Sequence, residues 1–377
     1  MLWKYTLIVT LTLAMPMAAM AQTIRDFASP NALRVLEGIG IGTSIPGSPQ
    51  VADAFAQLHG EAYASSKEAS AQMQRRFTNL MPNGREIVSV ESLKKHTNRW
   101  GTVTGDWTGR KHIEMYSGYD LLACGFAIGT DITPKPNLLL GVALGYDISS
   151  QDFKSIRSEN QTDSLRTMVY GSWFNGEYFV DGYGGYTKNF HDVERKINIV
   201  DNNNDLFTGV ARGRYNDDLG SFGADFGKLV KCGDHLLTPS IGLHYIHLFS
   251  PGVTEKDAGD ANLHIHRHTY QSVRMPIGIK ASQIVVGKHG GLWMPEVRVF
   301  YVREFADDSV RVRTSFDADR DVTFDAESGK WGRNSGRFGV GVNAKLSSRM
   351  NFRLDYDCEV YDHTSTNVVS TMFCMKW

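Results

Sequence analysis

The chain has 377 residues, a formal net charge of −1 and a hydrophobic fraction of 42%. A near-neutral chain lacks the basic excess of nucleic-acid-binding proteins, so we exclude nucleic acid as a partner. The length would allow two soluble domains, but frequent glycine (37), abundant tyrosine and phenylalanine (15 and 19) and sparse proline (11) are typical of barrel strands with one apolar face.

The first 21 residues have the pattern of a secretory signal peptide. Lys4 gives an early positive charge, an apolar run follows from Tyr5 to Met20, and Ala19 and Ala21 frame an A-x-A cleavage site. The alternative is an N-terminal membrane anchor, but the run is short for a spanning helix. We therefore expect cleavage near Ala21 and export to an oxidising compartment.

A short N-terminal segment, residues 22–50, precedes a helical linker, residues 51–98. Apolar residues recur at three-to-four spacing from Val51 to Leu80, which predicts an amphipathic helix. A Pro-Asn-Gly sequence at residues 82–84 ends it. An amphipathic helix suits a narrow wet lumen better than lipid, and the charged residues that we expect to act in such a plug are Glu61, Lys67, Arg75 and Arg76.

Strands and turns follow one another through the barrel region, residues 99–377. The pattern predicts about twelve antiparallel strands, near Arg99–Arg110, Ser117–Asp131, Asn137–Gln151, Asp163–Phe174, Glu177–Lys196, Phe207–Val230, His235–Phe249, His268–Ile284, Leu292–Ala306, Gly336–Leu346, Met350–Tyr361 and Asn367–Trp377.

The last two strands alternate most clearly. From Met350 to Val360 the even positions are apolar and the odd positions are polar or charged, and the final strand places Phe373, Met375 and Trp377 on one face. This alternation suits hydrocarbon outside and water inside. A chain that stops on an aromatic of the outer face suits a barrel that closes its last strand on its first, so we interpret these three residues as an assembly signature.

The connections are of two kinds. Tight turns such as Asn175-Gly176-Glu177 alternate with long charged connections at Asn198–Gly213, Ser250–Arg267 and Asp307–Ser335. Outer-membrane barrels have short periplasmic turns and long external loops. A soluble β-sandwich with one wet face would also alternate, but the loop asymmetry and the signal peptide favour an all-β, twelve-stranded transmembrane barrel, located in the bacterial outer membrane and preceded by a plug helix.

Several charges fall on the inward face of the predicted strands. We expect Glu296, Arg298, Arg353, Asp355, Asp357 and Glu359 to face the lumen. Simple hydration of a wet lumen explains such charges. The sharper hypothesis is that helix cations Arg75 and Arg76 meet the acidic row of Asp355, Asp357 and Glu359.

Other chemistry is weakly indicated. His264, His266 and His268 would share a side of an extended segment, but no fourth metal ligand accompanies them. No nucleophile, base and orienting residue group together, so we expect no catalytic residue, metal or cofactor. The four cysteines, Cys124, Cys232, Cys358 and Cys374, do not face one another in the predicted strands, so we expect unpaired thiols.

The chain resembles the autotransporter β-domain family. Residues 56–65, AQLHGEAYAS, resemble the L-x-G-E-x-Y-A-S stretch of its helical region. Residues 237–245, LTPSIGLHY, resemble its L-x-P-x-x-x-L-x-Y strand, and residues 295–307 resemble its P-to-E-F-x-D strand. Each motif is weak alone, but their order together is fairly specific. The resemblance covers essentially the whole mature chain.

The resemblance implies an outer-membrane translocator barrel of type V secretion that anchors and exports its N-terminal segment. It implies outer-membrane lipid, the barrel assembly machinery and periplasmic chaperones as partners. The expected signal peptide leaves about thirty residues before the helix, too few for a folded passenger, and no Asn-Asn cleavage pair lies in the helix. A small-solute channel, a surface-loop binding protein and, less favoured, a barrel hydrolase are the alternatives.

Overall fold

The computed structural model describes residues 56–81, 97–113, 116–200, 206–287, 291–347 and 349–376. The predicted signal peptide, the segment 22–50, the start of the predicted helix, residues 82–96 and Trp377 lie outside the described residues.

Twelve antiparallel strands form a closed barrel, as predicted. Each pairs with the next along the chain, and the last pairs with the first over thirteen residue pairs, from Asn98↔Lys376 to Arg110↔Thr364. The strands are β1 Thr97–Arg110, β2 Tyr119–Lys135, β3 Leu138–Phe153, β4 Ser158–Phe174, β5 Tyr178–Val200, β6 Leu206–Lys228, β7 His235–Ser250, β8 His268–Gln283, β9 Leu292–Glu304, β10 Asn334–Lys345, β11 Met350–Val360 and β12 Thr364–Lys376. Short pieces at Val230–Cys232 and Val285–Val286 extend the pairing of β7 and β9.

The barrel exposes apolar side chains and buries polar ones. On β2, Leu122, Phe126 and Ile128 are more than half exposed. On β1, the inward-facing Thr102, Thr104 and Asp106 are buried. An apolar belt around a polar interior is the arrangement required in lipid. Among the described residues, no helix is both long enough and apolar enough to span a membrane.

The two ends of the barrel differ. The turn rim, named here for tight connections such as Asn175–Glu177 between β4 and β5, contrasts with the loop rim, where β1 ends at Arg110. Two long connections, 251–267 and 305–333, lie at the loop rim. The predicted loop at Asn198–Gly213 is mostly strand, because β5 runs to Val200 and β6 begins at Leu206.

The two long connections form a four-stranded sheet, here called the rim sheet, where we predicted loops. Its strands lie in the order Asp319–Glu327, Arg311–Phe316, Leu263–Ile265, Val253–Thr254. One face buries apolar side chains, including Leu263, Val312 and Phe324. These strands are two to nine residues long and lie within charged sequence, so their alternation is difficult to detect.

Helix α1, Glu61–Asn79, lies inside the barrel. The single helix predicted from Val51 to Leu80 is interrupted, because Gly60 has a φ of 79°, a conformation that favours glycine. A side chain there would also lie 3.0 Å from Leu263 of the rim sheet. Sixteen of the nineteen α1 residues are buried, including Glu61, Lys67 and Glu68. The barrel wall and rim sheet therefore enclose a largely polar helix.

Candidate functional site in the barrel lumen

A buried ion pair at the loop rim joins wall, rim sheet and helix. Arg195 of β5 donates from Nη2 to Oε2 of Glu255 at 2.6 Å, and both residues are 1% exposed. Tyr63 of α1 donates to Glu255 Oε1 at 2.9 Å. Arg195 also donates to the Gln57 and Ala261 carbonyl oxygens at 2.6 and 2.8 Å. One carboxylate therefore connects three elements.

The first turns of α1 carry two buried carboxylates. Glu68 Oε2 accepts from Arg110 Nη1 at 2.9 Å, and Glu61 Oε2 accepts from the Ser117 backbone N–H at 3.0 Å. Ser117 lies in the β1–β2 connection at the loop rim, so this end of the helix lies at that rim. The helix is therefore held at this rim by an ion pair with β1 and by a hydrogen bond from the backbone of the β1–β2 connection.

Lys67 lies in a fully enclosed polar network. Its Nζ is 3.8 Å from Asp217 Oδ2 of β6 and 3.8 Å from the centre of the Tyr215 ring. His191 Nε2 is 2.9 Å from the same carboxylate, and Asn189 donates to its other oxygen at 2.6 Å. Lysine, histidine and aspartate are all buried, so the helix cation and the wall carboxylate each depend on the other.

Arg75 and Arg76 contact different wall strands from those predicted. Arg76 bonds to Asp106 of β1 and donates to Thr108 Oγ1 at 2.6 Å. Arg75 donates to Ser272 Oγ at 2.9 Å, and its Nη2 is 3.9 Å from Glu304 Oε2. The predicted pairing with Asp355, Asp357 or Glu359 is wrong, because arginines of the wall already bind those carboxylates.

Those wall pairs form a charge ladder in the half of the lumen below the helix. Arg298 Nη1 and Nη2 lie 2.6 Å and 3.0 Å from Asp355 and Asp357. Glu296 accepts from Arg353 at 3.2 Å and lies 3.5 Å from Lys280. Glu359 bonds to Arg274, which lies higher, at a small cavity that Arg75 of the helix also borders. The six predicted wall residues, Glu296, Arg298, Arg353, Asp355, Asp357 and Glu359, all face the lumen, where the first five border a polar cavity of about 210 Å³ beside the helix end.

Two glycines give room to helix aromatics. A Cβ on Gly213 of β6 would overlap the Tyr63 hydroxyl, and a Cβ on Gly145 of β3 would overlap the Phe77 ring. The wall is therefore fitted to α1 by shape as well as by charge.

The rim sheet contacts the chain just before α1. His59 Nε2 lies 3.0 Å from the Asp325 carbonyl oxygen on strand Asp319–Glu327. Burial lowers the pKa of His59 below 6.5, although Glu327 and Asp325 partly oppose this shift. Tyr116, in the β1–β2 connection, donates to Glu327 at 3.1 Å, and burial followed by the charge of Glu327 raises its pKa to about 12.

The remaining candidate residues are dispersed. His264 Nδ1 lies 2.7 Å from Thr254 Oγ1 and its ring is 4.8 Å from that of His266. The described part of the chain holds no group of three or more metal-type ligands. Cys124, Cys232, Cys358 and Cys374 are free thiols. Phe373 and Met375 are exposed on the apolar outside, where Phe373 packs on Phe352 at a ring distance of 5.0 Å.

Sequence reasoning missed the wall partners of the helix. Asp106, Asp217, Glu304, Arg110 and Arg195 all lie on inward-facing positions of predicted strands, and their strand alternation was the available signal. Alternation shows whether a side chain faces the lumen or the lipid. It does not show where along the barrel axis the side chain lies relative to the helix, so it could not identify which wall residue pairs with which helix residue.

A family model described as autotransporter β-domain matches residues 99–357. Outer membrane protein B of Rickettsia typhi is 23% identical over 249 residues, which cover 64% of this chain and 15% of that protein. The corresponding Rickettsia prowazekii protein is 24% identical over the same length. The chain thus spans about 15% of the length of these relatives.

Solved structures agree in fold. The translocator domain of NalP from Neisseria meningitidis has a TM-score of 0.64 at 16% identity, covering 84% of this chain and 99% of that domain. The β-domain of the Bordetella autotransporter BrkA has a TM-score of 0.51 at 13% identity, covering 74% of this chain and 99% of that domain.

Proposed function

The chain belongs to the autotransporter β-domain family, and from this premise we propose that it anchors and exports the segment N-terminal to α1, with α1 as the plug of the pore. As a family member it is a translocator barrel and an integral outer-membrane protein. We assign it no catalytic step, and we propose that residues 22–50 form the exported segment, residues 51–98 the linker and residues 99–377 the barrel.

The path of the chain through the lumen is the observation that supports export. Gly60 lies against the rim sheet, whereas Leu80 and Met81 pack on an apolar cluster with Trp100 and Met372, nearer the turn rim. The described chain resumes at Thr97, where β1 begins at the turn rim. A chain that traverses a closed barrel in this direction has the arrangement expected after its N-terminal part has passed through the pore.

The charged contacts of the helix support the plug. Lys67, Arg75 and Arg76 each contact a different wall carboxylate, on β6, β9 and β1. Breaking a buried pair by removing one partner typically costs about 3–5 kcal/mol. A helix with contacts on several sides of the lumen should therefore close the pore to ions.

Planar-bilayer recordings test the plug. We expect low conductance for the full chain, in which Ser66 Oγ of the helix and Tyr215 Oη of β6 lie 2.8 Å apart, and frequent large openings when residues 56–81 are deleted. Equal conductance of the deletion variant and the full chain would refute the plug.

We also propose that the loop rim faces outward and the turn rim faces the periplasm. The lengths of the connections support this orientation, since outer-membrane barrels have short turns on the periplasmic side and longer loops outside. A cysteine introduced at Asp319 should react with a membrane-impermeant maleimide on intact cells, whereas one at Gly176 should not. Strong labelling at Gly176 with none at Asp319 would reverse the orientation.

We propose that Phe373, Met375 and Trp377 form an assembly signature. The barrel assembly machinery recognises it after periplasmic chaperones deliver the chain. Phe373 and Met375 are exposed on the apolar belt, and β12 pairs with both β1 and β11. Phe373→Ala with Trp377→Ala should lower the amount of heat-modifiable, folded barrel in the outer membrane. Cys374→Ala, on the inner face, is the control, and equal yields of both variants would argue against the signature.

A further inference from the structure

Helix α1 contacts more carboxylates than cations on the wall. Its three cations face Asp217, Glu304 and Asp106, here called the seat carboxylates. Its two carboxylates face one wall cation, Arg110, since Glu61 bonds to a backbone N–H. Departure of the helix therefore removes three cations from the wall carboxylates and one carboxylate from a wall arginine.

The ion pairs of the lumen wall that exclude helix charges do not offset this difference. Six wall cations form ion pairs with five wall carboxylates and with Glu255 of the 251–267 connection, and no helix charge takes part in these pairs. The cations are Arg166, Arg195, Lys280, Arg274, Arg298 and Arg353, and the carboxylates are Asp147, Glu255, Glu296, Asp355, Asp357 and Glu359. These ion pairs do not require the helix. Asp181, Asp225 and Arg337 also border the lumen cavity and together add no positive charge, so the seat carboxylates leave an excess of negative charge at the former position of the helix.

Two of the seat carboxylates stay oriented by the wall itself. Glu304 accepts from Ser272 Oγ at 2.6 Å and from the Val273 N–H at 2.8 Å. Asp217 keeps its contacts with Asn189 and His191. Two members of the seat are thus held in place without the helix, and all three now face cations, an ammonium and two guanidinium groups.

We propose that the barrel with its helix displaced is a cation-selective pore, and that Asp106, Asp217 and Glu304 are its selectivity residues. The inference rests on the proposed plug. Rows of fixed carboxylates in a narrow low-dielectric passage concentrate cations and repel anions. The same field favours monovalent cations such as K⁺ over chloride during ion flow, and favours basic over acidic side chains in an extended chain that occupies the lumen.

The test measures the reversal potential of single openings in a KCl gradient across a planar bilayer. Two open forms are used, the 56–81 deletion and the full chain with Lys67→Gln, Arg75→Gln and Arg76→Gln, so that a folding defect in one leaves the other. Heat-modifiable mobility verifies the barrel in each. We expect K⁺ to be several-fold more permeant than chloride in both.

Neutralising the seat provides the decisive comparison. Asp106→Asn, Asp217→Asn and Glu304→Gln in either open form should lower the permeability ratio toward one, and Arg110→Gln should raise it. The matched control neutralises three carboxylates on the outer face of the same wall region, Asp192→Asn, Glu194→Gln and Asp218→Asn, and should leave the ratio unchanged.

The outcomes separate the two proposals. Conductance that does not rise in either open form overturns the plug, and the inference fails with it. Large openings that are non-selective or favour chloride, or whose selectivity survives neutralisation of the seat, overturn the inference alone and leave the plug intact.

Discussion

The lumen has two halves that carry charges in different ways. In the half that holds α1, charged pairs join separate elements: Lys67 to β6, Arg76 to β1, and Arg195 to the rim sheet through Glu255. In the half below the helix, the pairs join wall strands to one another, as Arg298 of β9 does with Asp355 of β11 across β10. The first arrangement fixes the helix and rim sheet in place, whereas the second neutralises the wall.

The halves also differ in redundancy. Glu255 has Arg195 as its one ion-pair partner among the described residues, and both are buried. Glu296 has three cations within 4 Å, from Lys280, Arg298 and Arg353. Loss of one partner therefore leaves a buried unpaired charge in the helix half, but a still-compensated charge in the lower half. Mutations should separate the two halves by size of effect.

The largest expected effect is at the loop rim. Arg195→Met leaves Glu255 buried without its cation, so we expect a loss of about 3–5 kcal/mol in rim-sheet stability. Faster proteolysis within residues 305–333 of the folded barrel would report it. Arg214→Gln on β6 is the control, because its pair with Asp192 is exposed and such pairs contribute about 0–1 kcal/mol. Equal effects of the two substitutions would contradict the assignment.

A smaller effect is expected where the helix pairs with β1. Arg76→Glu places like charges beside Asp106 and should increase the frequency of large openings in planar bilayers. Asp106→Arg added to that variant restores opposite charges and should reduce the openings, with a coupling free energy of about 0.5–3 kcal/mol between the two sites. Additive effects would show that the two side chains do not interact.

A smaller effect still is expected in the lower ladder. Arg298→Gln removes one cation, but Arg353 and Lys280 remain 3.2 and 3.5 Å from Glu296. We expect less than half the loss of thermal stability caused by Arg195→Met, measured by the temperature at which the heat-modifiable form disappears. A loss as large as that of Arg195→Met would remove the distinction between the halves.

The smallest effect concerns pH at the rim sheet. Burial lowers the pKa of His59 from 6.5, so the open state binds a proton more readily than the closed one. Stability of the contact is therefore complete above about pH 6.5 and declines as pH falls below it. The protection of amides in strand Asp319–Glu327, corrected for the pH dependence of the intrinsic exchange rate, should fall from pH 7 to pH 5, and His59→Gln should reduce that difference. His264→Gln, on the same sheet, is the control.

The same contrast explains what the sequence predicted. Strand alternation is enforced by lipid on one side and water on the other, so all twelve strands were found within a few residues of their bounds. The rim sheet was missed because strands such as Leu263–Ile265 are short and lie within charged connections. The partners of Arg75 and Arg76 were missed because they depend on the depth and rotation of the helix, which tertiary packing determines.

The fit of Tyr63 to Gly213 and of Phe77 to Gly145 has an evolutionary consequence. Selection against a side chain at either wall position acts through the helix, since those rings occupy the space that a Cβ would need. A lineage that lost the helix would be released from that constraint and would accumulate larger residues at both positions. Glycine at these two positions should therefore distinguish related barrels that hold a helix in the lumen from those that have lost it.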